Sequence, residues 1–411
     1  MMRLIPAIGV FMVLSALAID ASAQDRSLSE RISDQIVSHA AEFIDVHRDL
    51  HRHPEVSGSE VRTAGLVAGR LKALGLDVRT GVGGHGVVAL LKGGHPGPLV
   101  AYRADLDAVP SRDPDPVDFA SETPGVRHQC GHDVHTTIGL ALASALASVR
   151  ADLQGSVLFV FQPAEENATG AKAMLAAGVF GAGKPVAIYG VHTSPLAIGQ
   201  IGTRSGVLMA ARDGLRVTVS GAGDQAGAMA AAQAVVMGVS TLTPQQAFQP
   251  APEGFSLVQL AAPAPADGEL TMRGSITVAG AAARERVKEA LGKGLGAIAV
   301  PGVSVSYQYQ DRVIAGVTND SGLTAAAVAN LTAALGPAAV PTVRDIFPAF
   351  SEDFGSFQDE VPGVFFFLGV SNAAKGIAGM PHSPAYVADE GAIAFGARAM
   401  AVVLLDRLTG R

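Results

Sequence analysis

Five apolar runs constrain the fold of this chain more than any other feature. "GVVALLKG" (Gly86–Gly93), "PLVAYRAD" (Pro98–Asp105), "GSVLFVFQP" (Gly155–Pro163), "PVAIYGVH" (Pro185–His192) and "GVFFFLGV" (Gly363–Val370) are continuous rather than alternating. A strand wetted on one face alternates apolar and polar residues, whereas a strand covered on both faces stays apolar throughout. Stretches of helical spacing accompany the runs, at Thr136–Arg150, Thr169–Ala177, Gly322–Leu335 and Asp389–Leu408. Two more precede them, one over Leu28–Glu55 that ends at a proline, and "SEVRTAGLVAGRLKALG", which closes at Gly75. Continuous strands separated by helices predict an α/β protein with a mostly parallel sheet covered on both faces.

The pattern changes near Ala211. "DGLRVTVSGAG" alternates like a half-exposed strand and leads into an alanine-rich helix over Gly227–Val239. Strands at Phe255–Ala261 and Glu269–Gly280, a helix at Ala281–Ala299 and a strand at Val303–Gln310 follow, with "FQPAPEG" as a surface loop. The order βαββαβ is that of a ferredoxin-like layer. The expectation is therefore a catalytic domain in two pieces, 24–210 and 319–411, interrupted by a smaller domain over 211–318. Two domains also suit a length beyond what one hydrophobic core usually holds.

The chain opens "MMRLIPAIGVFMVLSALAIDASAQ": Arg3, an apolar run over about Leu4–Ala18, then small residues at Ala21, Ser22 and Ala23. That is the order of a secretory signal peptide, and the run is shorter than the ~20 residues a membrane span requires. Residues 1–23 are read as a cleaved signal, which predicts a periplasmic or secreted protein with no membrane association after cleavage. A net charge of −7 without a basic patch argues against a nucleic-acid partner.

Chemistry-bearing residues gather just after the runs. Asp105 and Asp107 follow the second, Glu165 and Glu166 the third; His192 ends the fourth and His382 lies beyond the fifth. Open parallel sheets bind ligands at the C-terminal ends of their strands. The one cysteine, Cys130, has no second thiol to pair with and sits in "HQCGHDVHT" beside His128, His132 and His135. Thiolate, imidazole and carboxylate together suit zinc, and also cobalt, nickel or manganese. A thiolate can bridge two metal ions. Of two adjacent glutamates, one can bind metal while its neighbour serves as general base, the logic of metal-assisted amide hydrolysis.

With "HRHPE", "RADLDAVP", "HQCGHDVHT", "QPAEE", "GVH", "SEDF" and "HSP" in that order, the chain from about His51 to Glu390 resembles the di-metal aminoacylase–carboxypeptidase family. It is most similar to the branch of hippurate hydrolases and indole-acetyl amino-acid hydrolases, which has Cys where the family otherwise has a bridging Asp. The resemblance implies an α/β catalytic domain with an inserted ferredoxin-like lid that often dimerises. It implies Cys130, His132, Glu166, His192 and His382 as ligands of two divalent metal ions, zinc or manganese with cobalt or nickel as alternatives. Glu165 would be the general base and Asp107 a supporting carboxylate. His51, His53, His128, His135, Glu352 and Asp353 are assigned structural roles. The implied substrates are N-acyl or N-aroyl amino acids or small peptides, with a carboxypeptidase or dipeptidase as the alternative.

The lid departs from the family. A histidine after a glycine-rich turn is expected there, but "SGAGDQAGAMAAAQ" has none, and no histidine lies between His192 and His382. The lid arginine is also missing, since "GSIT" ends in Thr277. Asn319 and Arg273 are the candidates to replace the contact with the scissile carbonyl. Loss of one such donor slows catalysis by on the order of 100- to 1000-fold, which leaves a weakened metal- or ligand-binding relative as a further alternative.

Overall fold

A computed structural model describes residues 27–410; the signal-peptide reading falls on residues outside that range. Three helices come first: α1 (Leu28–Ser38), α2 (Ala40–Arg52) and α3 (Val61–Ala73). The helical stretch expected over Leu28–Glu55 is therefore two helices. The side chains of Ser38 and His39 turn back onto the Gln35 carbonyl and compete with the backbone ladder there.

Strands β1 (Asp77–Thr80), β2 (Val87–Lys92) and β3 (His95–Asp105) lead, past a small pair β4 (Val109–Pro110) and β5 (Val126–Arg127), to α4 (His132–Ser148). Next come β6 (Gln154–Gln162), α5 (Gly170–Ala176), β7 (Ile188–Ala197), β8 (Ile201–Gly202) and β9 (Gly206–Met209). The large sheet has the order β1-β2-β6-β3-β7-β16-β8, where β16 is Gly363–Ser371. Its centre, β6-β3-β7-β16, is parallel, and its margins are antiparallel.

The sheet explains the unbroken apolar runs. Val157, Phe159 and Phe161 of β6 enter the core shared with the helices on one face, whereas Leu158 and Val160 enter a second core on the other. β2 reads as continuously as its parallel neighbours yet runs antiparallel to β6, because both of its faces are covered too. Burial on two faces, not strand direction, writes the apolar run. β7 also corrects an expectation. His192 lies inside the strand rather than at its end, since pairing with β16 continues past it to Ala197.

The segment after Met209 builds a separate antiparallel sheet. Its strands are β10 (Ala211–Gly221), β11 (Ser256–Leu260), β12 (Ala264–Ala266), β13 (Glu269–Val278) and β14 (Val303–Ile314), in the order β11-β13-β10-β14 with β12 on β13. Helices α6 (Gln225–Gly238) and α7 (Ala281–Gly296) cover one face, and every second residue of β10 is buried against them. The chain then re-enters the large unit through β15 (Val317–Asn319), which pairs with β9, and continues into α8 (Ser321–Leu335), the short α9 (Gly355–Gln358) and the closing helix α10 (Gly391–Thr409). "FQPAPEG" does not lie wholly on the surface: Phe248 is exposed, but Ala251 is buried and bridges Ile346 of the large unit. Among the described residues no helix is long and apolar enough to cross a membrane.

Candidate metal centre

The turns after β3 and β6, the start of α4, strand β7 and the loop after β16 bring the site together at the C-terminal ends of the central parallel strands. After β3 the chain delivers Asp107, fully buried, whose carboxylate accepts from the amides of Glu165 (3.1 Å) and Glu166 (3.0 Å) and from the Ser57 hydroxyl (2.6 Å). The second junction, after β6, turns sharply. Ala164 and Ala168 adopt left-handed backbone at φ 54° and 56°, and the Glu60 carboxylate anchors the Ala164 amide at 2.8 Å. Strained residues of this kind persist only where their surroundings hold them. The third is the start of α4, where Gly131 takes φ 88° and a Cβ would fall 2.2 Å from the Tyr386 hydroxyl. Glycine there lets Cys130 and His132 approach β7.

Around this turn Cys130 Sγ lies 3.2 Å from His192 Nε2. One ligand-capable atom each from Cys130, His132 and His192 falls within 4.8 Å of the others, and the same holds for Cys130, Glu166 and His382 and for His132, Glu165 and Glu166. Cys130 thus belongs to two overlapping groups. His382, itself at φ 59° and partly exposed, sits 3.5 Å from Glu166 Oε1. All seven residues singled out in the sequence converge here.

The ring tautomers are fixed from behind. His132 Nδ1 meets Asp107 Oδ1 at 3.2 Å and His192 Nδ1 meets the Thr193 carbonyl at 2.7 Å, which leaves each Nε2 facing the cluster. Among the described residues His132 Nε2 and Glu166 Oε1 are buried without a hydrogen bond and stand 3.7 Å apart, with His382 Nε2 3.5 Å from the latter. Buried polar atoms are rarely left so, and two orphaned atoms of metal-ligand type at one point fit a cation. Burial, with the neighbouring Glu166, Glu165 and Asp105, pushes the Cys130 thiol well up, so a metal is what would ionise it. Burial and the adjacent His135 hold His192 well below its ordinary value, as the neutral ring a metal requires. His132 moves the other way. Burial lowers it, but Asp105 and Asp107 outweigh that and raise it to about 10, so metal binding there displaces a proton.

Behind the cluster lies a buried layer that contains His135, Glu352 and Asp353, read from the sequence as structural, around an arginine that was not singled out there. Arg103, with no exposed side chain, donates to Asp105 (2.7 Å), Glu352 (2.9 Å) and Gln162 (2.8 Å) and pairs with Asp353 (3.3 Å). Asp105 in turn holds His135 Nδ1 at 2.7 Å, and His135 Nε2 accepts the Thr193 amide at 2.8 Å. The signal available was "YRAD": an arginine inside an otherwise apolar run has to find buried anions.

A second layer ties α2 to α4. His51 Nδ1 contacts Asp133 Oδ2 at 2.6 Å and its Nε2 contacts Asp115 Oδ2 at 3.1 Å, whereas His53 is half-exposed on the Asp49 carbonyl. His128 is buried with both ring nitrogens unpartnered, and burial lowers it to about 4. Burial alone would lower His51 as well, but its hydrogen bonds to Asp115 and Asp133 raise it from 6.5 to about 9. The stability that its protonation contributes is complete below pH 6.5 and is lost as the pH rises through about 9. It amounts to on the order of 3 kcal/mol. Urea midpoints between pH 6 and 10 should fall with this profile and flatten in His51→Gln; equal slopes in the two proteins would exclude it.

A cavity of about 640 Å³ opens over the cluster, with Cys130, Glu165, Glu166, His192 and His382 on its floor. Phe248, Phe347, Phe350 and Phe367 give it an aromatic wall. Neither candidate for the missing lid contact lines it. The Asn319 side-chain amide is committed to Thr203, Arg204 and Phe365 at 2.9–3.1 Å, and Arg273 is exposed opposite Arg216 in the outer sheet. Asn319 is thereby corrected, because its amide is spent on internal acceptors, and Arg273 does not line the cavity of its own chain.

Residues 101–406 match the model of peptidase family M20/M25/M40. The chain is 32% identical to the N-acetylcysteine deacetylase of Bacillus subtilis strain 168 over 89% of this chain and 97% of that one. It is 30% identical to the IAA-amino acid hydrolase ILR1-like 5 of Arabidopsis thaliana, over 87% and 85% respectively. Among solved structures it resembles the Bacillus subtilis YXEP protein, described as a dinuclear metal binding peptidase of the M20 family. The TM-score is 0.75 at 28% identity, covering 90% of this chain and 99% of that one.

Proposed function

We propose, for a chain that belongs to peptidase family M20/M25/M40 and is a metal-dependent hydrolase of C–N bonds, that it releases the amino acid from N-acyl or N-aroyl amino acids. Cys130, His132, Glu166, His192 and His382 would hold two divalent cations. The thiolate and imidazole donors favour zinc, with manganese, cobalt or nickel as the alternatives. Bound cations supply Lewis acidity, which polarises the amide carbonyl and lowers the pKa of a water toward ~7.

The chain's own residues do the rest. Glu165 takes the proton of the attacking water as its oxygen bonds to the carbonyl carbon, then returns it to the nitrogen as the C–N bond breaks, so the products are a carboxylic acid and an amine. Asp107 orients this chemistry twice, holding the His132 ring and the backbone of both glutamates. The observation that carries the reading is the pair of buried ligand atoms without a hydrogen bond, His132 Nε2 and Glu166 Oε1, at an aromatic-walled cavity of substrate size that Glu166, though not His132, lines. The N-terminal signal reading extends the proposal to an exported protein.

Dialysis against a chelator should abolish hydrolysis of hippurate-like substrates, and zinc or manganese should restore it with two equivalents bound per chain. Metal-loaded protein that turns over neither N-acyl amino acids nor dipeptides would refute the proposal.

A further inference from the structure

The antiparallel sheet gives the cavity an arginine that no carboxylate among the described residues holds. Arg212 stands at the start of β10, opposite Thr277 of β13 and Ile314 of β14, and lines the cavity together with Cys130, Glu166 and His382. Its Nε is buried with no hydrogen-bond partner, and its Nη2 donates only to the Ala349 carbonyl, at 3.3 Å. Other arginines drawn into the interior each hold a carboxylate: Arg103 holds Asp105 at 2.7 Å, Arg127 holds Asp115 at 3.0 Å and Arg284 holds Asp213 at 2.7 Å. Arg212 has none. Burial lowers its pKa from the ordinary value and no acidic neighbour offsets the effect. On the same cavity wall the Ser351 hydroxyl is also buried without a partner. Arg344, the other arginine at this cavity, is exposed.

A partly desolvated guanidinium without a counter-ion is less favourable than one that an anion completes. Its planar fork matches a carboxylate with two parallel hydrogen bonds, which an ammonium cannot reproduce. We propose that Arg212 is a specificity-determining residue that binds the free carboxylate of the substrate's amino-acid portion, with Ser351 as a second donor. The inference rests on the amidohydrolase reading above and sharpens it: substrates with an unblocked carboxylate are selected, and the aromatic wall is left to the acyl group.

Arg212 is not an oxyanion donor under this assignment, and the two roles separate experimentally. Hippurate and its carboxamide are nearly isosteric, but the carboxamide exchanges an anionic acceptor oxygen for a neutral NH2 donor. Their binding is measured by calorimetry on zinc-loaded Glu165→Gln protein, with Arg212, Arg212→Met or Arg212→Lys, and their turnover is measured with Glu165 intact. With Arg212 present, hippurate should bind roughly 10- to 100-fold more tightly than the carboxamide, the range for a charge-assisted hydrogen-bonded contact. Arg212→Met should reduce that ratio below about 3-fold, with the kinetic loss mainly in KM, and Arg212→Lys should restore part of it. The unfolding midpoint of Arg212→Met should stay equal or rise, because a partly buried charge without a counter-ion is removed; an arginine with a structural role would lower it.

An unchanged ratio in Arg212→Met overturns the proposal. So does an equal loss of kcat on both substrates with binding intact, which would make Arg212 an oxyanion donor. Protein that binds hippurate through Arg212 yet cleaves neither substrate would refute the hydrolase reading and leave the carboxylate site standing. Protein that binds neither ligand would overturn the carboxylate site.

Discussion

Replacing Glu165 with glutamine should lower kcat on N-acyl amino acids by roughly 100- to 10,000-fold, the range that a positioned general base contributes. Glu165 is 8% exposed, its amide is held by Asp107 at 3.1 Å, and its carboxylate approaches no base more closely than His132 Nε2 at 3.9 Å. Burial pushes its pKa well above the ordinary value, Glu352, Glu166 and Asp353 push it further, and Arg103 opposes them. A raised pKa makes a carboxylate a better proton acceptor, and divalent cations at the cluster would lower it again. Glutamine preserves shape and cannot accept the proton. Metal content measured on the same samples separates the roles: a Glu165→Gln protein with full metal and normal turnover would remove Glu165 as base, and one that loses metal would make it a ligand.

Arg103→Met should lower stability by about 3–5 kcal/mol, the cost of removing one partner from a buried ion network. The guanidinium is the permanent cation among Asp105, Glu352 and Asp353, all nearly unexposed. Without it those carboxylates would have to take up protons or spread apart. Burial together with Glu352 already raises Asp353 to about 7 despite Arg103. Arg103→Lys should recover only part of the loss, because one ammonium cannot reach three carboxylates and Gln162 as the fork does. Urea unfolding followed by far-UV circular dichroism measures the difference; a midpoint within about 0.5 kcal/mol of wild type, the range for ordinary surface substitutions, would show the network to be dispensable. The layer also links fold to chemistry, because Asp105 holds both Arg103 and His135, and Glu352, bound to Arg103, acts on the charge of Glu165.

Much of the site was legible because its parts are local in sequence. "HQCGHDVHT" places a thiol and an imidazole two residues apart, and the turn at Gly131 keeps them on one side. "QPAEE" places two carboxylates after a strand, and Asp107 caps both of their amides. The apolar runs announced double-sided burial, hence strands in a covered sheet. They did not announce direction: β2 carries the same pattern as β3 and runs the opposite way to β6. His192 looked like a strand end because polar residues follow it, yet backbone pairing with β16 carries β7 onward regardless of side chain.

The lid was the least legible part. Its missing histidine and arginine were visible as absences, but neither replacement suggested by sequence position lines the cavity of its own chain. Asn319 is consumed by backbone carbonyls and Arg273 faces outward, whereas Arg212, unremarkable in "ARDGLRV", ends up unpaired in the cavity. Whether a polar side chain is spare or already satisfied depends on partners more than 100 residues away, as with Arg212 and Ala349.

The sequence by itself determined the α/β class, the family and the seven residues of the cluster, because periodicity and short motifs depend on near neighbours along the chain. Only the tertiary structure decided which ligand atoms are left unpartnered, that Arg103 neutralises the acids behind the cluster, and that Arg212 enters the cavity without a counter-ion. Those are questions of charge balance and desolvation, and they are settled by groups that the fold brings together from opposite ends of the chain.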